Sequence, residues 1–135
     1  MSYLEQKSNF NIDSAQELID KTYYAPSIHC SYYGSFQFMK FSLKNYRNLT
    51  YDFIELECKN YARGTHGYVL DNIKQDLRKK LLNTKDYTEV KRKIDELKAF
   101  RISSDYFNTQ ILLDQADKSL SYSKDIIQII KQNLK

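Results

Sequence analysis

Apolar residues recur every three or four positions along most of this chain. An α-helix turns once in about 3.6 residues, so this spacing places the apolar side chains on one face of a helix. The clearest case is the C-terminal segment, which we predict to be helical from near Asp114 to the end of the chain. Its apolar face consists of Leu113, Ala116, Leu120, Ser123, Ile127, Ile130 and Leu134.

A second long helix is predicted from Pro26 to about Tyr46. Proline suits the first turn of a helix, because the N–H that it lacks would have no partner there. The apolar face of this helix consists of Ile28, Tyr32, Phe36, Met39, Leu43 and Tyr46.

Two further helices are predicted between residues 65 and 104. The first is capped by Thr65 and ends in the basic run at residues 78–80, and the second opens at Asn83 or Thr84 and reaches about Ser104. Their inner faces consist of Val69, Leu70, Ile73 and Leu77 on the first and Tyr87, Val90, Ile94 and Leu97 on the second.

Two parts of the chain carry weaker patterns. Ser14 and Glu17 have the spacing of a capping box and predict a first helix centred on residues 14–21, with Leu4 as the alternative start. A short helix is predicted over residues 53–61 and is ended by Gly64.

These patterns predict an all-α fold. The chain has only three glycines and one proline, fewer than the turns of a β-sandwich or barrel need. No segment alternates apolar and polar residues with a period of two. We therefore predict an antiparallel bundle of four to five helices that forms one domain over residues 1–135.

Composition bears on location and partners. No apolar run approaches the roughly 20 residues that cross a bilayer, and the first residues lack the pattern of a secretion signal. We expect a cytoplasmic protein without membrane contact, in which Cys30 and Cys58 are reduced and packed. The net charge of +4 permits an acidic partner without requiring one.

Arg101 is the first candidate for a functional residue. It follows Leu97 by four positions and so continues an apolar helix face. An inward guanidinium is costly unless it is paired, and such positions often serve function or a subunit interface. The alternative is a helical ion pair with Asp105, four positions later. Both interpretations stay open at this point.

Histidines and basic residues supply the other candidates. His29 and His66 have no partners at metal-ligand spacing, so we expect no metal and no cofactor, while His66 is a candidate general acid or base. Basic residues on the two helices between 65 and 104 could form a face that contacts phosphate, at Lys79, Lys80, Lys91 and Arg92. Acidic residues are interleaved with them, so the other interpretation is a solvated surface. Some of the twelve tyrosines could stack on bases, although packing explains their spacing.

Four segments carry a family resemblance. Ser14–Tyr24, Ser27–Lys40, Thr65–Val69 and Arg101–Tyr106, in this order and spacing, resemble the HEPN family of small bacterial and archaeal helical proteins. The last two segments are similar to the Thr-His-x-x-Val and Arg-x-x-Ala-Asp-Tyr motifs of one branch. The resemblance implies a helical bundle, frequent homodimers and, for many members, metal-independent RNA cleavage in toxin–antitoxin or defence systems.

The nucleases of this family use an arginine followed, after four to six residues, by a histidine. Arg101 matches the arginine, but Tyr106, Phe107 and Asn108 occupy the window for the histidine. The leading hypothesis is therefore a non-catalytic or degenerate HEPN-like module that forms a homodimer, beside a nucleotidyltransferase or antitoxin partner.

Two alternatives stand beside this hypothesis. One is an active metal-independent endoribonuclease toxin, with catalytic residues Arg101, Asp105, Tyr106 and His66. The other is a module that binds RNA or a nucleotide without turnover, through the basic face around Lys79 and Lys91.

Overall fold

Six α-helices make up most of residues 2–135, the part of the chain that the computed structural model describes. No strand occurs within these residues, which confirms the all-α prediction. The count exceeds the predicted four to five because the short segment after residue 50 is a regular helix. The helices are α1 (Tyr3–Asp20), α2 (Tyr24–Tyr46), α3 (Tyr51–Asn60), α4 (Gly64–Lys80), α5 (Thr84–Tyr106) and α6 (Leu113–Asn133).

Helix α2 lies at the centre and contacts α1, α4, α5 and α6. Its contact with α1 is close and antiparallel: the Ser8 hydroxyl donates to the Gly34 carbonyl at 2.6 Å, and the Ser27 hydroxyl donates to the Ala15 carbonyl at 2.8 Å. A Cβ on Gly34 would lie 2.7 Å from Cδ1 of Ile12. A larger residue at this position would therefore displace the end of the Ile12 side chain.

Helix α6 covers another side of α2 and runs in the same direction. The Ser123 hydroxyl donates to the Ser31 carbonyl at 2.6 Å, and further along both helices Lys131 Nζ lies 5.4 Å from the ring centre of Phe38. The antiparallel arrangement predicted for the whole bundle thus holds for α1 against α2 but not for α6 against α2.

An ion pair holds the end of α2 against the middle of α4. Arg47, which follows α2, donates from Nη2 to Asp76 at 2.8 Å and from Nη1 to the Asn72 side-chain oxygen at 2.8 Å. The Asp76 side chain is only 5% exposed. The hydrogen bond from Arg47 to Asp76 raises the pKa of the guanidinium. This network joins two helices that do not follow each other along the chain.

The main core fills the space between α2, α3, α4, α5 and α6. A smaller cluster joins α1 to the first turns of α2 and α6. The predicted inner faces of α2, α4 and α5 are buried except for Tyr46 and Tyr87, which are partly buried. In α6, Leu113 is exposed and Ile127 is partly buried, whereas Ile126, outside the predicted face, is fully buried. The largest fully buried side chains of the main core are Tyr32, Met39, Leu43, Ile54, Leu70, Ile73, Leu77, Ile94, Leu97, Ile126 and Ile130.

The start of the first helix differs from the main prediction. Helix α1 begins at Tyr3, and the N-cap hydroxyl of Ser2 accepts from the Glu5 amide at 3.4 Å. Ser14 and Glu17 lie inside the helix, so the capping box was wrong and the alternative start near Leu4 is correct. The Ser14 pattern occurs where no helix end needs a cap.

Two other helix ends also differ from prediction. Gly64 has a φ of +74° and opens α4 instead of ending α3, so Thr65 lies inside α4 and does not cap it. Thr50 caps α3, which begins at Tyr51. The predicted cap of α5 is confirmed, because the Asn83 side chain accepts from the backbone of the first turn.

No helix within residues 2–135 is long and apolar enough to cross a membrane. Both cysteines are free, with Cys58 buried and Cys30 partly buried. Burial raises the pKa of both thiols.

Candidate functional site

Arg101 lies on α5 and faces α2. The residue is 7% exposed, and its guanidinium carbon lies 4.8 Å from the ring centre of Tyr32 and 5.9 Å from that of Tyr33. Its Nη1 also lies 3.7 Å from Asp105 Oδ2, one helical turn later. The inward position of Arg101 and its place beside Asp105 are therefore both confirmed, while a role in function or at a subunit interface stays a prediction.

The guanidinium is incompletely satisfied. Arg101 Nε is buried and has no hydrogen-bond partner among residues 2–135. A buried donor without a partner costs about 1–3 kcal/mol, and the aromatic faces beneath the cation offset part of that cost. One donor of this cation is thus left without an acceptor in the protein interior.

His66 lies beside Arg101, on the first turn of α4. Its Nδ1 is 2.8 Å from the Tyr32 hydroxyl oxygen, and its ring stacks on Phe36 with centres 4.5 Å apart. Burial lowers the pKa of His66, and the nearby charges of Arg101 and Lys98 lower it further. The imidazole is therefore neutral at pH 7.

Tyr32 links His66 to Arg101. Burial raises the pKa of this tyrosine to about 12, against the opposing effect of the Arg101 charge. The phenol is thus protonated at neutral pH. A neutral phenol and a neutral imidazole are hydrogen-bonded next to a permanent cation.

His29 completes the cluster from α2. Its Nδ1 lies 3.1 Å and 3.3 Å from the two carboxylate oxygens of Asp105, and its ring centre lies 4.7 Å from that of Tyr33. From the sequence, His29 was a candidate only as a metal ligand, because Asp105 is 76 positions away. The available signal was its position on α2, about one helical turn before the tyrosine pair.

The structure brings together three of the four predicted catalytic residues: Arg101, Asp105 and His66. The fourth, Tyr106, has its ring centre 5.9 Å from the Arg101 guanidinium and is 71% exposed at the end of α5. Asp105, His66 and Tyr106 thus all lie near the Arg101 guanidinium, and the catalytic roles of the four residues stay a prediction.

The four basic residues predicted to bind nucleic acid, Lys79, Lys80, Lys91 and Arg92, lie elsewhere. The two on α4 are at the opposite end of that helix from His66, roughly 20 Å along its axis. The two on α5 are each paired with carboxylates three or four positions away on the same helix. This pairing favours a solvated surface for the α5 residues.

Other cations lie closer to the cluster. Lys98 precedes Arg101 by one turn of α5, and its pKa is lowered by burial and by the charges of Arg63, Lys74 and Arg101. Arg63, Lys74 and Arg101 each lie against a carboxylate, so their charges are in part compensated.

No group of three or more His, Cys, Asp or Glu side chains in residues 2–135 is placed to hold a metal ion. Comparisons of the chain with protein-family models, with curated proteins and with solved structures found no match. The resemblance to the HEPN family therefore stays a prediction that depends on the motifs alone.

The lowered pKa of His66 predicts a pH-dependent stability. The unfolded chain binds a proton at this histidine below about pH 6.5, whereas the folded chain resists protonation, so acidification favours unfolding. We expect His66→Gln to lose less stability than the wild type when the pH falls from 7.5 to 5.5. Urea unfolding at both pH values measures this difference. Equal losses in the two proteins would contradict the assignment.

Proposed function

We propose that this chain is a metal-independent endoribonuclease whose active centre surrounds Arg101. The observation that supports the proposal most is the buried Arg101 guanidinium, which has an unpartnered Nε and lies among two histidines from other helices. Guanidinium groups are common phosphate ligands in proteins, and imidazoles transfer protons near neutral pH.

RNA cleavage by its own 2′-hydroxyl needs few groups from a protein. The 2′-oxygen forms a bond to the adjacent phosphorus and the bond to the 5′-oxygen breaks, which leaves a 2′,3′-cyclic phosphate and a 5′-hydroxyl. A base must take the 2′-hydroxyl proton, and a cation must stabilise the charge that develops on the phosphate oxygens. Arg101 suits the second role, because its planar fork matches two phosphate oxygens.

The missing histidine of the family motif was the main reason to expect a non-catalytic module. In the folded chain His66 comes from α4 and His29 from α2, and both contact Tyr33 beside Arg101. The imidazole that the motif would place on the arginine's own helix is thus replaced by imidazoles from other helices. This geometry favours the catalytic alternative.

We also propose a homodimer that forms beside this centre. The end of α5 and the start of α6 expose four large apolar side chains in a short stretch, and monomeric proteins rarely leave such residues grouped on their surface. These residues are Tyr106, Phe107, Leu112 and Leu113.

The function is tested by incubating the purified chain with end-labelled single-stranded RNA in the presence of EDTA. We expect cleavage that leaves 2′,3′-cyclic phosphate ends. No cleavage should occur on the 3′ side of a nucleotide that is replaced by its 2′-deoxy form. Lys124→Ala, at an exposed position of α6 on the side of α1, is the control and should cleave normally. RNA that stays intact at all protein concentrations would overturn the proposal in favour of a non-catalytic interaction module.

A further inference from the structure

The contact between His29 and Asp105 determines which imidazole nitrogen is free. A carboxylate only accepts hydrogen bonds, so His29 Nδ1, at 3.1 Å from Oδ2, carries a proton and donates it. In a neutral imidazole the other nitrogen, Nε2, then holds the free lone pair. Asp105 thus selects the tautomer that is able to accept a proton at Nε2.

The position of His29 makes this nitrogen accessible. The His29 side chain is 50% exposed, whereas the Asp105 side chain is 21% exposed and the Arg101 side chain 9%. The same Asp105 carboxylate lies next to Arg101 Nη1 at 3.7 Å. One carboxylate therefore holds the imidazole from α2 and the guanidinium from α5 side by side, with the imidazole on the solvent side.

His66 is less suited to take a proton. Its ring is stacked on Phe36 and its Nδ1 is bonded to the Tyr32 hydroxyl, while Arg101 and Lys98 surround it with positive charge. Those cations disfavour an imidazolium. His29 has a different environment, because its Nδ1 contacts the Asp105 carboxylate and its ring lies at the surface.

We infer that His29 is the general base of the RNA-cleaving centre and that Asp105 is its positioning residue, an assignment that rests on the proposed function. His29 Nε2 takes the 2′-hydroxyl proton as the oxygen bonds to phosphorus. The departing 5′-oxygen takes a proton from a water molecule, and the resulting hydroxide takes the proton back from the imidazolium. His29 ends each cycle neutral, and atoms and charge balance.

The test is the pH dependence of kcat/KM for single-stranded RNA in the wild type, His29→Ala, Asp105→Asn and the Lys124→Ala control. We expect His29→Ala to lower kcat/KM by about 100-fold or more and to lose the rise of the rate with pH that a base produces. Added imidazole should restore part of the rate in His29→Ala alone. Asp105→Asn should lower kcat/KM but keep the rise of the rate with pH, because His29 is still present as the base.

The outcomes separate this inference from the function on which it rests. If the wild type cleaves RNA and Arg101→Ala does not, but His29→Ala keeps the wild-type rate and pH profile, His29 is not the base and the ribonuclease assignment stands. No cleavage by the folded wild type overturns both. Rescue by imidazole also excludes misfolding, because only a folded centre can use the added base.

Discussion

Replacing Asp76 with alanine is expected to lower the free energy of unfolding by about 3 kcal/mol, near the lower end of the range for breaking a buried ion pair. The substitution leaves the Arg47 guanidinium without the carboxylate that accepts two of its N–H groups. The Arg47 side chain is 27% exposed, so water compensates part of the loss. Urea denaturation with an unchanged m-value measures the difference.

A matched substitution shows that the burial of the pair causes this effect. Asp125→Ala removes the carboxylate that accepts from Lys93, but its side chain is 46% exposed, so we expect a loss below about 1 kcal/mol. Asp76→Asn keeps an acceptor for Arg47 and should lie between the two. If Asp76→Ala were no less stable than Asp125→Ala, the Arg47 network would not hold α2 against α4.

The helices were predictable because helical periodicity is a local property. The stripe from Val69 to Leu77 and the stripe from Val90 to Leu97 are buried as expected, since each depends on residues three or four positions apart. Helix ends were less predictable. Ser14 and Glu17 have the spacing of a capping box but lie inside a continuous helix. The sequence around them does not show that the helix begins further upstream, whereas the contacts of α1 with α2 do.

The candidate site was predictable only where its members are neighbours along the chain. Arg101 continues an apolar stripe and Asp105 follows it by one helical turn, so the inward position of Arg101 and its pairing with Asp105 could be predicted. The contact between Tyr32 and His66 spans 34 positions and that between His29 and Asp105 spans 76. A periodic stripe shows which face of a helix is buried, but it does not show which two faces meet.

The central position of α2 explains how one helix serves both stability and the site. Its small residues Ser27, Ser31 and Gly34 admit α1 and α6 at short distance, and their hydroxyls or carbonyls take part in hydrogen bonds between helices. The face toward α5 carries Tyr32 and Tyr33 instead. The close packing of α2 against α1 and α6 therefore fixes the position of the two tyrosine rings that contact the Arg101 guanidinium.

Arg101→Met is expected to abolish RNA cleavage while leaving the fold as stable as before or more stable. Methionine fills the space between Tyr32 and Tyr33 without burying a charge or the unsatisfied Nε donor. Asp105 keeps His29 and water as partners, so the substitution leaves no buried charge unpaired. Cleavage should fall by at least about 100-fold, because the group that stabilises charge on the phosphate is removed.

Arg101→Lys separates the charge from the shape of the guanidinium. Lysine keeps the cation but cannot contact two phosphate oxygens in one plane, so we expect activity between those of the wild type and Arg101→Met. Cleavage assays and thermal unfolding of the three proteins measure activity and stability together. A purely structural arginine would show the reverse pattern, in which Arg101→Met unfolds at a lower temperature and the residual activity follows the folded fraction. If Arg101→Met loses activity but is at least as stable as the wild type, then the buried guanidinium does not stabilise the fold. Arg101 is in that case present for its chemistry and not for its packing.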